Sequence, residues 1–219
     1  MLKVELVSHT PNPEQTVAMA AKLCTSNVTL QELVTKCEDP ASFIQKVMSM
    51  GHLSVIEHAS FTFYIEGVSR ALSHQLVRFR IASFSQQSQR YVRFDSGFDY
   101  VVPPSIVCKP ALLQKFFEHI EACIYLYKEF VDAGIPAEDA RYVFPNAANT
   151  KLMMTMNARE LLHMFELRCC SHAQWEIRAM AHKILALVKP VASTIFENAG
   201  PGCVRGACPE GLRSCGGTK

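Results

Sequence analysis

The sequence predicts an α+β fold: a single domain of mixed helices around a central sheet, with helix dominant. Residues 1–8 alternate apolar and polar, with Leu2, Val4 and Leu6 on one face, as a half-buried strand does. Phe61-Thr62-Phe63-Tyr64-Ile65 is a β-branched and aromatic run, and Leu152-Met153-Met154-Thr155-Met156 is a short apolar one. Helical periodicity fills much of the rest, without the regular strand–helix–strand spacing of a doubly wound sheet.

The helices follow from start and stop signals. One is expected near Pro13 to Cys24, where an early proline costs no hydrogen bond. A second stretch runs near Thr29 to Met50. The longest spans 111–133, with Leu113, Phe116, Phe117, Ile120, Ile124, Tyr127 and Val131 on one stripe between Pro110 and Gly134. Asn157 with Glu160 three residues on opens another helix like a capping box. A last one carries Ile177, Met180, Ala181, Ile184, Leu185 and Val188. Pro201, Gly202, Gly206, Pro209, Gly211, Gly216 and Gly217 then argue against regular structure. The division is one folded domain over 1–200 and a Cys/Gly-rich tail over 201–219.

Composition bounds the function. The chain has 219 residues, 49% hydrophobic and 19% charged, which excludes a largely disordered protein. A net charge of +2 excludes polyanion binding by bulk charge, so any basic site is local. The N-terminal MLKVELVSHT has no basic region followed by an apolar one, and no uncharged run is long enough to span a bilayer. A cytoplasmic protein is expected. Its nine cysteines, Cys24, Cys37, Cys108, Cys123, Cys169, Cys170, Cys203, Cys208 and Cys215, are then reduced, and most serve as small core residues.

The chemistry concentrates in SRALSHQLVRFRIASFSQQSQRYVRF, Ser69 to Phe94. Arg70, Arg78, Arg80, Arg90 and Arg93 lie here with no lysine and no acid, although the chain has eleven of each cation. Arginine alone points to planar, bidentate recognition of phosphate or carboxylate. Ion pairs with acids elsewhere in the fold are the alternative. Ser83, Ser85, Gln86, Gln87, Ser88 and Gln89 read as a polar loop able to bond phosphate oxygens and a heterocycle edge. Gln75 and Arg78, three apart, are expected on one helix face.

These residues resemble the signature of the flavin-dependent thymidylate synthases, Arg-His-Arg, seven residues, then Ser: Arg78, Arg80 and Ser88 match, followed by Arg90-Tyr91. Gly51-His52 with Ser54, Glu57 and His58 resembles the upstream motif. EDARYVFPNAANTKLMMTMNARELLHMFELRCCSHAQWEIR resembles the downstream half. Phe79 stands where the family carries histidine.

The resemblance implies a thymidylate synthase-complementing type fold. It also implies reductive methylation of dUMP to dTMP. The carbon donor would be 5,10-methylenetetrahydrofolate, and the reductant reduced FAD recharged by NADPH. The implied dUMP contacts are Gln75, Leu76, Val77, Arg78, Gln86, Gln87, Ser88, Gln89, Arg90, Arg141 and Arg168. The implied flavin contacts are Ser54, Arg78, Phe79, Arg80, Gln86, Asn157, Arg159 and His163, with His52 near folate or nicotinamide. The family implies a homotetramer with shared active sites and no nucleic-acid polymer or membrane as partner.

Residue chemistry leaves some roles open. Arg168 shares a helix face with Leu161 and Met164, where a buried cation needs an anion or carbonyl partner. A salt bridge to Glu166 or another acid is one answer. The family reading, a catalytic cation that stabilises negative charge on the pyrimidine, is the other. Arg141 follows Glu138-Asp139 and fits a surface ion pair or a nucleotide contact. Ser88 suits phosphate binding better than nucleophilic attack, since no base is near it in sequence. Asn157 fits a helix cap, a flavin contact, or both. Cys203-x4-Cys208-x6-Cys215 fits reduced thiols better than a zinc site, whose spacing differs from C-x2-C, so no metal is expected. An RNA- or single-strand-binding module, with Phe79, Phe84, Tyr91 and Phe94 stacking bases, is the main rival from another class.

Overall fold

The computed structural model describes residues 1–37 and 39–216. The elements in chain order are β1 (Lys3–His9), α1 (Pro13–Leu23), α2 (Leu30–Lys36), α3 (Pro40–Ser49), β2 (Ser60–Ser69), α4 (Arg70–Leu76) and β3 (Ala82–Gln86). They continue with α5 (Pro104–Val107), α6 (Pro110–Asp132), α7 (Ala137–Ala140), β4 (Asn149–Asn157), α8 (Ala158–Arg168) and α9 (Trp175–Val188). The strands form one sheet in the order β1-β2-β4-β3. The Thr10 amide donates to the Ser60 carbonyl while Gly67 lies against Met1, so β1 and β2 run antiparallel. Thr62 bonds Thr155, and the Arg70 amide donates to the Ala148 carbonyl, so β2 and β4 do too. The fold is the α+β class that the alternating runs anticipate.

Strand period explains β2. Phe61, Phe63 and Ile65 are fully buried, while Thr62, Tyr64 and Glu66 are half-exposed on the other face. Gly67 interrupts the run with φ +69°, and a Cβ there would overlap the Met1 carbonyl. Only glycine meets both demands.

The chain divides into two compact units. One comprises residues 1–3, 65–78 and 85–152; the other comprises 4–64, 79–84 and 153–219. The first is centred on Phe98, Ile120, Cys123 and Ala148, with Phe94, Tyr100, Phe116, Ile124 and Phe144 packed against them. Phe144 meets Phe98 at 4.5 Å and Tyr127 at 4.7 Å between ring centroids. In the second, the α9 stripe Ile177, Met180, Ala181, Ile184, Leu185 and Val188 is buried as expected. Phe196 packs edge-on against Phe61 at 5.5 Å and Phe165 at 6.0 Å.

Three expectations need correction. The stretch Thr29 to Met50 is two helices. Pro40 starts α3, and a residue before proline is driven out of helical geometry. Each piece has its own cap: Thr29 and Glu32 form a reciprocal capping box, and Asp39 accepts from the Ser42 amide at 3.1 Å. Glu38 lies outside the described residues. Ala82 to Gln86, read as loop, is strand β3; Ala82, Phe84 and Gln86 face inward and Ser83 and Ser85 outward. Helix α4 stops at Leu76, with Val77 as its C-cap, so Gln75 and Arg78 do not share a helix face. Among its described residues the tail holds only the 3-10 turns Gly202–Val204 and Gly211–Arg213. Gly217 lies outside the described residues. No helix among the described residues is long and apolar enough to cross a membrane.

Candidate active site

The expected site residues fall into two groups, one in each unit. In the first unit, Gln75, Leu76, Val77 and Arg78 end α4 and leave it. Leu76 is buried, whereas Val77 and Arg78 are exposed. Gln86 ends β3, and its Nε2 donates to Ser73 Oγ at 3.2 Å and Thr150 Oγ1 at 2.9 Å. Both amide hydrogens are thereby committed, and the carboxamide oxygen is the group left to accept. The Gln87 amide continues the ladder to the Lys151 carbonyl. Ser88 and Gln89 then turn the chain, with Ser88 Oγ accepting from the Arg90 amide at 3.1 Å.

Three arginines gather here. Arg90 Nε donates to Glu138 Oε2 at 2.7 Å. That hydrogen bond, with the attached charge, raises the Arg90 guanidinium above its ordinary value. Arg141 Nε bonds the backbone carbonyl of Glu138 at 2.9 Å, not its carboxylate. Arg70 is held below its ordinary value, first by burial and then by the charge of Arg141. The Glu138 carboxylate is thus paired with Arg90 alone, while Arg141 and Arg70 are like charges close enough to act on one another.

In the second unit, α8 supplies most of the site. Asn157 is its N-cap, with Oδ1 accepting from the Glu160 amide at 2.9 Å. The cap uses the carbonyl and leaves the amide NH2 as a donor. Arg159, the second residue of the helix, pairs through Nη1 with Glu57 at 2.6 Å. These residues, with His163, Glu166, Leu53, Met48 and Ile81, line a cleft of about 670 Å³. Arg205 of the tail lines the same cleft and bonds Glu166 at 2.7 Å. The Glu166 carboxylate is thus paired with Arg205. Arg168, at the last position of α8, places its guanidinium over the Phe79 ring, 5.5 Å from the centroid. Arg80 is exposed after Phe79. His52 is the exposed N-cap of the 3-10 helix Leu53–His58, which also carries Ser54.

The cysteines separate by environment. Cys169 is buried, and burial pushes its thiol up to about 12, with Lys189 opposing. It stays protonated at neutral pH and is not a ready nucleophile. Cys170, Cys203 and Cys208 line a cavity of about 340 Å³ with His172 and Arg168. The described residues hold no group of three or more His, Cys, Asp and Glu side chains arranged for a metal ion.

Some participants had no signal in the sequence. Ser73 and Thr150 are ordinary polar residues until the fold brings them to Gln86. Arg205 sits in a Gly/Pro-rich tail without periodicity. Arg70 was visible only as one member of the arginine stretch.

Arginines gather around Glu138 in one unit, and amide and arginine groups line a cleft at the N-terminus of α8 in the other. The thymidylate synthase complementing protein family matches residues 5–193. A flavin-dependent thymidylate synthase of Geobacter sulfurreducens is 58% identical over 98% of this chain and 94% of its own length. One from Clostridium tetani is 48% identical over 98% and 93%, and one from Pyrococcus furiosus 40% over 96% and 90%. The chain belongs to the flavin-dependent thymidylate synthase family, a family of enzymes.

Proposed function

We propose that the protein methylates dUMP reductively to dTMP, with 5,10-methylenetetrahydrofolate as carbon donor and FAD as cofactor recharged by NADPH. The observation that carries this is the pairing of an arginine cluster around Glu138 with an amide- and arginine-lined cleft along α8. The cluster suits the nucleotide phosphate. Arg90, Arg141 and Arg78 hold it, Ser88 and the turn amides add neutral donors, and Gln86 offers its carboxamide oxygen to the uracil edge. Leu76, Val77, Gln75, Gln87 and Gln89 shape the pocket around them.

The α8 cleft suits the cofactor: its donor set, Asn157 NH2, Arg159 and His163, fits a phosphate-bearing heteroaromatic molecule. Ser54 and Arg80 complete that donor set, Phe79 stands between Arg78 and Arg80 without adding a donor to it, and His52 stands near the folate or nicotinamide. FAD, when bound, supplies the reducing equivalents for the transferred carbon. Arg168 provides the electrostatic part of catalysis. Loss of the N3 proton makes the pyrimidine electron-rich, and a fixed guanidinium beside it stabilises that charge, so that C5 attacks the electrophilic carbon.

The enzyme works as a cytoplasmic homotetramer with sites shared between subunits. Exposed Val77, Ile81, Tyr91, Leu112, Tyr125 and Tyr142 are the apolar surface that partners would cover. Residues 1–200 carry the catalytic region, and the tail from 201 follows it. The test is the visible spectrum of the purified chain, followed by dUMP turnover with folate and NADPH supplied. A yellow protein that consumes all three is the expected result. A colourless protein that ignores added FAD would overturn the reading, and light scattering decides the tetramer.

A further inference from the structure

Phe79 does not behave like a surface contact that happens to be aromatic. It is 6% exposed, in a segment whose neighbours Arg78 and Arg80 are both exposed. Two groups of α8 converge on it. The Arg168 guanidinium lies over the ring face at 5.5 Å, and the His163 ring meets it edge-on at 5.8 Å and 78°. A cation over an aromatic face is attracted by the ring quadrupole, more strongly when water is excluded. An arginine side chain also has many rotamers, and a buried ring beneath it removes most of them. The ring offers no hydrogen bond, so it competes for none of the guanidinium N–H groups.

We infer that Phe79 is a positioning residue: its ring sets the placement of the Arg168 guanidinium that faces the nucleotide, in place of a polar contact to the flavin. This deepens the proposed function and rests on its assignment of Arg168 to the nucleotide. Histidine at this position would serve less well as a shelf, because its protonated ring would repel the guanidinium.

The experiment compares Phe79→Leu, Phe79→Tyr and Phe79→Met in the full chain. It reads dUMP affinity on flavin-free protein by calorimetry, kcat and KM for dUMP on FAD-loaded protein, and FAD content. Phe79→Leu should lose roughly three- to thirty-fold in kcat/KM for dUMP. Phe79→Tyr should recover most of it, and FAD content should stay at the wild-type level. In an Arg168→Ala background the same leucine substitution should add little, since the ring then has nothing to position. Losses that multiply fully in the double variant would overturn the inference, as would wild-type dUMP constants in Phe79→Leu or a loss confined to FAD retention. If Phe79→Leu does not fold, the Tyr–Met contrast decides by the same readouts. Wild-type protein that neither binds nor turns over dUMP signals failure of the parent reading instead.

Discussion

Arginine does different work in the two units. Around Glu138, Arg90 takes the carboxylate, Arg141 bonds only the backbone carbonyl, and Arg70 is perturbed by both burial and the charge of Arg141. Along α8, Arg159 and Arg205 each have a carboxylate of their own, and Arg168 lies over an aromatic ring. In the first arrangement only one of the three guanidinium groups is paired with a carboxylate among the described residues. The second fixes side-chain direction with little net charge, because half-exposed ion pairs contribute only ~0–1 kcal/mol each. The lesson is that a count of arginines says little; what balances them separates a charge trap from a shaped cleft.

The largest expected effect tests the shaped side. Arg168→Lys keeps a cation over Phe79 but loses the planar fork. A charged hydrogen bond of ~1.5–3 kcal/mol corresponds to roughly ten- to hundredfold slower turnover at saturating dUMP. Unchanged turnover would remove Arg168 from catalysis. Next, Arg90→Ala should weaken dUMP by roughly tenfold or more while FAD retention holds, and Arg159→Ala should do the reverse. Calorimetry with each ligand checks this, and a variant that weakens both equally would break the division of labour.

Stability effects are smaller. Gly67→Ala should cost ~1–3 kcal/mol in urea unfolding, since it adds left-handed strain and a clash with Met1. Asn157 permits a finer cut. Asn157→Ala should lose ~1 kcal/mol of stability, whereas Asn157→Ser keeps the cap but lacks the amide donor. Serine should therefore restore the unfolding midpoint without restoring FAD retention; recovery of both would make Asn157 only a cap.

The smallest effect is a pH slope from Cys169. Its native thiol is raised to about 12, while an unfolded thiol ionises near ~8.5. Above that lower value the unfolded chain binds fewer protons, so stability falls as pH rises toward the native value. Below it the contribution is fully present. Cys169→Ala should flatten the decline of the urea midpoint between about pH 8 and about pH 10 relative to wild type. An identical slope in both proteins would place the alkaline sensitivity elsewhere.

Much of this was legible in order along the chain. Periodicity located β1, α6 and α9, because a buried face repeats every two or every 3.6 residues, and residue type located β2 and β4 as a β-branched, aromatic run and a short apolar one. The cap at Asn157 was legible because capping is local. The break before Pro40 was a local signal too, yet the apolar pattern on either side of it reads as one helix. Strand β3 was hidden because its outward residues are serines and its ladder partner, β4, lies more than sixty positions away.

The site divides in the same way. Residue types and spacing by themselves determined where arginines cluster, that lysine is excluded from the stretch, and that Phe79 departs from the family pattern. Only the tertiary structure decided the partners: Glu138 with Arg90, Arg205 with Glu166, Ser73 and Thr150 with Gln86, and Phe79 beneath Arg168. The physical reason is range. Backbone propensity and hydrophobic period act over a few neighbouring residues, whereas charge and π-face contacts are made between side chains that packing brings together from far apart in the sequence, eighty-nine positions in the case of Phe79 and Arg168.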